Sequence, residues 1–464
     1  MNIPSIFKPE LIQRYDGAGP RYTSYPTAPQ FTSNFNGSHT LRAIQDSNED
    51  PIPRALSLYV HIPFCFSPCF YCGCNRIISR DDTKKQNYLN TLLKEIRMIA
   101  PKFDSDREVV QLHLGGGTPN SLNTDQLAQL MRQLEDSFNF TDPDTREFSI
   151  EIDPRTVSVK DIGALKDMGF NRVSLGIQDF DKQVQQAINR LQDINQITAI
   201  FNACKQHGFK SINFDLIYGL PTQSLEGFKE TLASVSKLRP DRIALYSYAH
   251  MPTIFKAQNK INALSLPNPT LKLLLFQTAV EYLLAQGYEY IGMDHFALPQ
   301  DELCIAKKSG DLHRNFMGYT TRKQTDLIGF GVSSISQIAD SFSQNAKDIS
   351  SWQNFIERGT PATVRGITTN RDDQIRADII QEIMCQGSVD FSAFEHRYNI
   401  IFTNYFSEAL SKLAMLEQDG LVEIDNAKLT IQPAGRLLLR VIASCFDAYL
   451  NKAGLTALPQ SKAV

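Results

Sequence analysis

Four of the eight cysteines, Cys65, Cys69, Cys72 and Cys74, fall within ten residues of one another, while Cys204, Cys304, Cys385 and Cys445 are scattered singly. Thiolates are soft ligands for iron and zinc. A large chain whose start, MNIPSIFKPELIQRYDG, interrupts its apolar residues with Pro, Lys and Glu is not the small secreted scaffold in which clustered cysteines pair as disulfides. Three thiolates at C-x3-C-x2-C spacing can reach three corners of one [4Fe-4S] cube from a single loop, leaving a fourth iron open to the amine and carboxylate of a ligand. The competing reading is a tetrahedral zinc ion on all four cysteines. Zinc sites generally draw their cysteines from two separated pairs or add histidines, whereas these four share one short loop. The scattered cysteines sit among apolar or helical neighbours and read as small core residues.

Other groups with chemical potential follow at intervals. His61 lies four residues before Cys65 and reads either as an ordinary strand residue or as a substrate contact. Gly115-Gly116-Gly117-Thr118-Pro119 offers backbone without side chains, where a ligand can approach closely and φ can be positive. Glu151 and Asp153 are two residues apart, on one face of a strand; they read as solvated groups, as a cap for the next helix, or as partners for hydroxyls or an ammonium. Gln178, Arg190 and Asp215 are each open to a structural reading and together suit a polar ligand shell. Asp215 has apolar neighbours, so a ligand or an arginine partner is expected for it.

The elements that must carry these residues alternate. Ala55 to Val60 and Val109 to Leu114 alternate as strands, Glu147 to Ile152, Arg172 to Ile177 and Ser211 to Ile217 read as extended, and apolar residues at helical spacing occupy Asn87 to Ile99, Thr124 to Phe138, Val159 to Met168, Lys182 to Ile188 and Ile197 to His207. Such alternation with short loops predicts parallel βαβ units, six or so strands in a partial or complete barrel, whose functional groups project from the C-terminal strand ends. Residues 1–50 show no sustained period and read as an extended arm lying over the surface. Residues 51–365 form the barrel and an extension. Residues 366–464 form a small, mainly helical domain with helices over Asp372 to Met384, Phe391 to Tyr398 and Thr403 to Gln418, a hairpin Leu421 to Ile431 and a last helix Ala434 to Leu450.

The composition excludes several classes of function. Lys plus Arg number 47 against 50 Asp plus Glu, and residues 366–464 hold nine basic against twelve acidic side chains. Helices followed by a hairpin resemble a winged helix, but the phosphate-contacting charge of a nucleic-acid binder is missing. No run reaches the ~18 apolar residues of a membrane span. The expectation is a cytoplasmic, monomeric protein with a small-molecule substrate, no nucleic acid and no membrane.

Tyr71, an aromatic residue directly before Cys72, and the glycine turn one βα unit after the cysteine loop resemble the radical S-adenosylmethionine superfamily. The runs Gly19-Pro20-Arg21-Tyr22-Thr23-Ser24-Tyr25-Pro26-Thr27, Cys72-Gly73-Cys74, Asp294-His295-Phe296 and His313-Arg314-Asn315-Phe316-Met317-Gly318-Tyr319-Thr320-Thr321 resemble, over most of the chain, the family of oxygen-independent coproporphyrinogen III oxidases. The resemblance implies an α/β fold, a partial (β/α)6 radical-SAM barrel. It implies one [4Fe-4S] cluster on Cys65, Cys69 and Cys72, and two S-adenosylmethionine molecules. Tyr59, Gly116, Glu151 and Ile335 would contact the first; Tyr71, Gly117, Thr118, Gln178, Arg190, Asp215 and Ala249 the second. The family often has Phe where this chain has Tyr71, and an aromatic face is retained. Cys74 belongs to the pattern without an evident role, and Arg21, His61 and Arg314 are, by composition, candidate clamps for propionates. The implied reaction is oxidative decarboxylation of two propionates of coproporphyrinogen III to vinyls by 5′-deoxyadenosyl radicals, giving protoporphyrinogen IX in haem biosynthesis. It would need a flavodoxin- or ferredoxin-like electron donor and an electron acceptor. The alternative is a non-catalytic haem-binding or haem-delivering relative, against which Cys74, the arm bearing Arg21 and the His313 to Thr321 run speak.

Overall fold

A computed structural model of the chain describes residues 6–17 and 19–450; the outer ends of the expected arm and C-terminal domain, 1–5 and 451–464, and Ala18 lie outside the described residues. The chain divides into two compact units, one of residues 31–275 with 324–368, the other of the first 30 residues with 276–323 and the chain from 369. This cut differs from an arm of 1–50, a barrel of 51–365 and a C-terminal domain from 366 in two places: residues 276–323, expected with the barrel, fall in the smaller unit, and the expected arm is divided between the two units. Its second half holds a helix, Gly37–Asn48, started by a capping box in which Asn36 accepts from the backbone and His39 returns the contact. Ala43 and Ile44 of that helix are buried, and Thr40 shares a hydrogen bond of 2.8 Å with Thr363, so this stretch belongs to the larger unit.

In the larger unit six strands, β1 (Ala55–Ile62), β2 (Glu108–Gly116), β3 (Glu147–Ile152), β4 (Arg172–Gln178), β5 (Ser211–Tyr218) and β6 (Arg242–Ser247), pair in sequence order and all in parallel. Helices α1 (Asp82–Ile99), α2 (Thr124–Ser137), α3 (Val159–Asp167), α4 (Lys182–Ala187), α5 (Ile194–Gln206) and α6 (Leu225–Leu238) alternate with them, giving the expected partial (β/α)6 barrel. On the far side of β1 the sheet continues through a seventh parallel strand, β7 (Thr325–Phe330), into antiparallel β8 (Ile335–Ile338), β9 (Ser341–Asn345) and β10 (Thr363–Thr368). Buried parallel strands such as β6 and β7 read as short apolar runs without alternation, which is why period alone does not pick them out.

The two faces of the parallel strands differ in chemistry. Leu58, Val60 and Ile62, with Leu112, Leu114, Phe148, Ile150, Val173, Leu175, Ile212 and Phe214, are buried, each burial contributing roughly 1.5–3 kcal/mol. The alternate positions carry polar groups joined across strands. Ser57 donates to Gln111 (3.1 Å), Gln111 to Glu147 (3.0 Å), Asn213 to Ser174 (2.9 Å) and Ser174 to Asp215 (3.0 Å). The helices start where capping side chains take up their free N–H groups: Asp81 before α1, Asn123 with Gln126 before α2, Ser158 with Asp161 before α3, Asp181 before α4, Asp193 before α5 and Ser224 before α6.

The smaller unit packs helices around one apolar core that also takes in the N-terminal tyrosines. Tyr22 is 1% exposed and Tyr25 4%; the Tyr22 hydroxyl donates to Asp447 at 3.0 Å and the Ala448 N–H to the Tyr25 hydroxyl at 2.9 Å. These residues are therefore core, not a surface arm. Helices Arg371–Cys385, Phe391–Tyr398, Phe402–Tyr405 and Ser407–Gln418 match the expected ones closely. The hairpin Val422–Ile424 and Lys428–Ile431 gains a third strand, Ser388–Asp390, and the expected last helix shortens to a 3-10 turn Pro433–Leu438 followed by Leu439–Ser444. Among the described residues no helix is long and apolar enough to cross a membrane.

Candidate functional site

The C-terminal ends of β1 to β6 enclose a cavity of about 220 Å³ lined by Cys65, Cys69, Tyr71, Cys72, Cys74, Gly116, Gly117, Thr118, Glu151, Gln178, Arg190 and Asp215, together with Arg76, Asp153, Arg155, Ser174, Ile217 and Tyr246. The cysteine loop is fastened to the strands by backbone bonds: Gly117 N–H to Ile62 O at 2.8 Å, Thr118 N–H to Phe64 O at 2.8 Å, and Ser79 N–H to Cys65 O at 3.0 Å. Phe70 N–H reaches Ile188 O at 3.0 Å, and Arg76 donates to Cys69 O at 3.1 Å. Glycine is required at the turn for two reasons. Gly116 has φ +110°, and a Cβ there would lie 2.5 Å from the His61 ring; a Cβ on Gly117 would lie 2.7 Å from the Pro63 carbonyl carbon.

The thiols sit in unlike surroundings. Cys65 is buried, which pushes it up to about 11 despite its contact with the Thr118 hydroxyl at 3.3 Å. Cys72 is held down to about 6, foremost by the hydrogen bond from the Cys74 thiol, with Arg76 assisting; Cys74 is raised by the same bond, so Cys72 is the anionic member of the pair. The Cys69 sulfur accepts from Arg190 Nη1 at 3.4 Å and Arg155 Nη2 at 3.8 Å. Among the described residues no three His, Cys, Asp or Glu side chains gather around a point as a single ion needs. Cys65, Cys69 and Cys72 all line the cavity, as a cube in which each iron takes its own thiolate requires.

Across the cavity Glu151 accepts from His113 Nε2 at 3.1 Å and Gly116 N–H at 3.2 Å. Burial opposes its charge, but these bonds prevail and its carboxyl titrates below the ordinary range. Asp153 caps a turn and is gripped by Arg155 at 2.6 Å and Arg190 at 3.2 Å, which overcomes the cost of burial and lowers it. Asp215 is the reverse case. Burial, with the charge of Glu151 added, pushes it up to about 7; its bonds go to Ser174 and to Asn213 at 2.8 Å, so that of the two partners expected for it, a ligand or an arginine, the arginine makes no hydrogen bond to it. Arg190 donates to Gly176 O at 2.7 Å, yet its buried Nε has no acceptor. Gln178 holds a left-handed φ of +68° at a register shift in β4, a strained conformation of the kind that gathers at ligand sites.

Six expected residues do not line the cavity. Tyr59 stacks on His113 at 5.9 Å and its hydroxyl meets His61 Nδ1 at 3.0 Å. The other His61 nitrogen meets Asn75 O at 3.1 Å, so Nε2 carries the proton, Nδ1 accepts, and burial lowers the ring's pKa. Both ring nitrogens are thus engaged within the protein. Ala249 is held through its carbonyl by Gln258, which also donates to Tyr71 O at 2.9 Å, and Ile335 opens β8. Arg21 and Arg314 belong to the smaller unit, where Arg21 pairs with Asp294. Sequence reasoning missed His113, Ser174 and Tyr246; the signal for His113 was its place two residues before Gly115, on the polar side of β2.

Six parallel strands with a cysteine loop after the first and a glycine turn after the second define a radical S-adenosylmethionine enzyme, and residues 59–235 match the Radical SAM superfamily. Residues 370–438 match the HemN C-terminal domain. Over 443 residues the chain is 48% identical to the oxygen-independent coproporphyrinogen III oxidase of Salmonella typhimurium, covering 95% of each, and over 442 residues 47% identical to that of Escherichia coli strain K12, again covering 95% of each. It is similar to the solved structure of coproporphyrinogen III oxidase from Escherichia coli with a TM-score of 0.91 and 46% identity, over 96% of this chain and 99% of that one. The chain belongs to the family of oxygen-independent coproporphyrinogen III oxidases. Membership of the radical SAM superfamily implies a [4Fe-4S] cluster and S-adenosylmethionine, and the residues present fit both: three thiols lining one cavity, a side-chain-free backbone cradle, and an orphaned arginine nitrogen beside them.

Proposed function

We propose that this protein oxidises coproporphyrinogen III without oxygen, converting two propionates to vinyls with loss of carbon dioxide and yielding protoporphyrinogen IX. The observation that carries the reading is the single cavity that gathers Cys65, Cys69, Cys72, the Gly116–Gly117 cradle and Glu151, in a chain matched almost end to end by relatives named for that activity. The same end-to-end likeness favours the oxidase over the haem-binding relative.

In this reading Cys65, Cys69 and Cys72 hold one cluster. When bound, the reduced cluster and S-adenosylmethionine supply a radical able to take a hydrogen atom from a propionate side chain, chemistry that belongs to the cofactor. The protein's own part is placement. Glu151, kept anionic by His113 and the Gly116 N–H, receives an ammonium or hydroxyl; Gly116, Gly117 and Thr118 let backbone groups reach the same ligand. Gln178, Arg190 and Asp215 form the polar wall of a second ligand position beside Tyr71, Ala249's carbonyl is fixed next to it, and Tyr59 and Ile335 support the first. Cys74 keeps the Cys72 sulfur anionic. A flavodoxin- or ferredoxin-like donor, an electron acceptor, a monomeric state and a cytoplasmic setting complete the proposal.

The test is anaerobic incubation with dithionite, S-adenosylmethionine and coproporphyrinogen III, with product analysis. Protoporphyrinogen IX is expected, and its formation should vanish, with the iron, in Cys65→Ser, Cys69→Ser and Cys72→Ser. Intact substrate together with tight haem binding would transfer the protein to the alternative.

A further inference from the structure

Two arginines of the smaller unit, Arg440 and Arg314, converge on the backbone of residues 19–21, which ends in a third, Arg21. Arg440 donates from Nε to Pro20 O at 3.0 Å and also reaches Gly19 O, Arg314 donates from Nε to Arg21 O at 3.4 Å, and the Arg21 side chain is paired with Asp294. Arg314 is 3% exposed and Arg440 5%. The Arg314 guanidinium stands over the Tyr319 ring at 4.8 Å, and its Nη1 is buried with no acceptor.

Guanidinium groups cannot escape such a setting by losing a proton as a lysine does. A buried charge left without a partner is among the costlier features a fold can carry, and its usual remedy is a counter-ion. Burial and the neighbouring Arg21 depress Arg440 to about 10 in spite of Asp294, so like charges crowd there more than the carboxylate relieves. A planar fork with one free arm is shaped for a carboxylate.

We propose that Arg314, flanked by Arg440 and Arg21, forms a binding site for an alkyl carboxylate, and that its ligand is a propionate of the tetrapyrrole. The ligand's identity rests on the function proposed above; the carboxylate specificity does not. Of the three candidate clamps, His61 is excluded because both its nitrogens are engaged, and Arg440 is added.

The probe is coproporphyrin III, the stable fluorescent oxidation product of the substrate with the same four carboxylates, titrated into anaerobic holoenzyme without reductant. Its tetramethyl ester, in the same mild detergent, is the uncharged control. The wild type should bind the acid at least about 10-fold more tightly than the ester. Arg314→Gln should weaken the acid by about 10- to 100-fold and leave the ester unchanged, while Arg314→Lys, which keeps the charge but loses the fork, should recover only part. Equal weakening of acid and ester in Arg314→Gln would make the residue structural and overturn the proposal. So would a wild type that does not distinguish the two ligands, a comparison that holds even if the variants fail to fold. A wild type that prefers the acid but never decarboxylates coproporphyrinogen III would retain the carboxylate site and remove the functional reading.

Discussion

Asp215 is the side chain of the cavity least suited to its own charge. Pushed up to about 7 by burial and by Glu151, from about 4 for an ordinary aspartate, it is protonated in the folded state at pH values where the unfolded chain has already lost the proton. The ligand-free protein therefore loses stability as pH rises from about 4 to about 7, and no further from this group above that. Asp215→Asn removes the burden, so its melting temperature relative to wild type should climb through the same interval and then level off. A difference independent of pH between 4 and 8 would show that Asp215 is not held protonated. Glu151 answers differently: Glu151→Gln should weaken S-adenosylmethionine binding at least about 10-fold, as loss of a charge-assisted contact does, while the unfolding temperature stays close to wild type. Unfolding or loss of iron in that variant would make Glu151 a structural residue. At this scale the cysteines, glycines and carboxylates were legible because few folds place such types at such spacings for packing alone. His113 was not, because its role exists only through Glu151 on the next strand, and His61 misled because nearness along the chain to Cys65 does not show where a ring points.

The βα loops explain why the cavity residues meet: the cysteine loop follows β1, Gly116 ends β2, Asp153 follows β3 and Gln178 ends β4, and each of α1 to α6 is launched by its own capping side chain. Parallel pairing from β1 to β6 then brings Cys65, Gly116, Glu151, Gln178 and Asp215 to one end without any of them being close in sequence. The strand–helix alternation disclosed this much in advance. It disclosed nothing about residues 1–50, where polar and aromatic residues without a period concealed a capped helix and two core tyrosines. Tyr22→Ala should cost about 3–5 kcal/mol, the range for emptying a buried aromatic position, and lower the melting temperature of the smaller unit; Tyr22→Phe, which retains the ring, should cost far less. A melting temperature unchanged in Tyr22→Ala would restore the surface arm. For the same reason, deleting residues 1–30 would strip side chains from a core, so that its effect on turnover could not be assigned to the site alone.

As a whole molecule the chain is threaded, with three separate stretches composing the smaller unit and two the larger. A reading in sequence order sees consecutive domains, since composition shifts mark where the chain changes character and not which distant stretch it packs against. Function was more legible than this division because the chemistry is concentrated in one unit's strand ends. In the proposed reaction the cavity of this protein directs a radical to the propionate carbon of a tetrapyrrole. The most direct test is turnover of coproporphyrinogen III carrying deuterium at the propionate β-carbons, under strict anaerobiosis with dithionite and unlabelled S-adenosylmethionine. Deuterium should appear in the methyl group of 5′-deoxyadenosine alongside vinyl formation. If 5′-deoxyadenosine forms without deuterium and the propionates remain intact, the cavity does not direct a radical to the substrate.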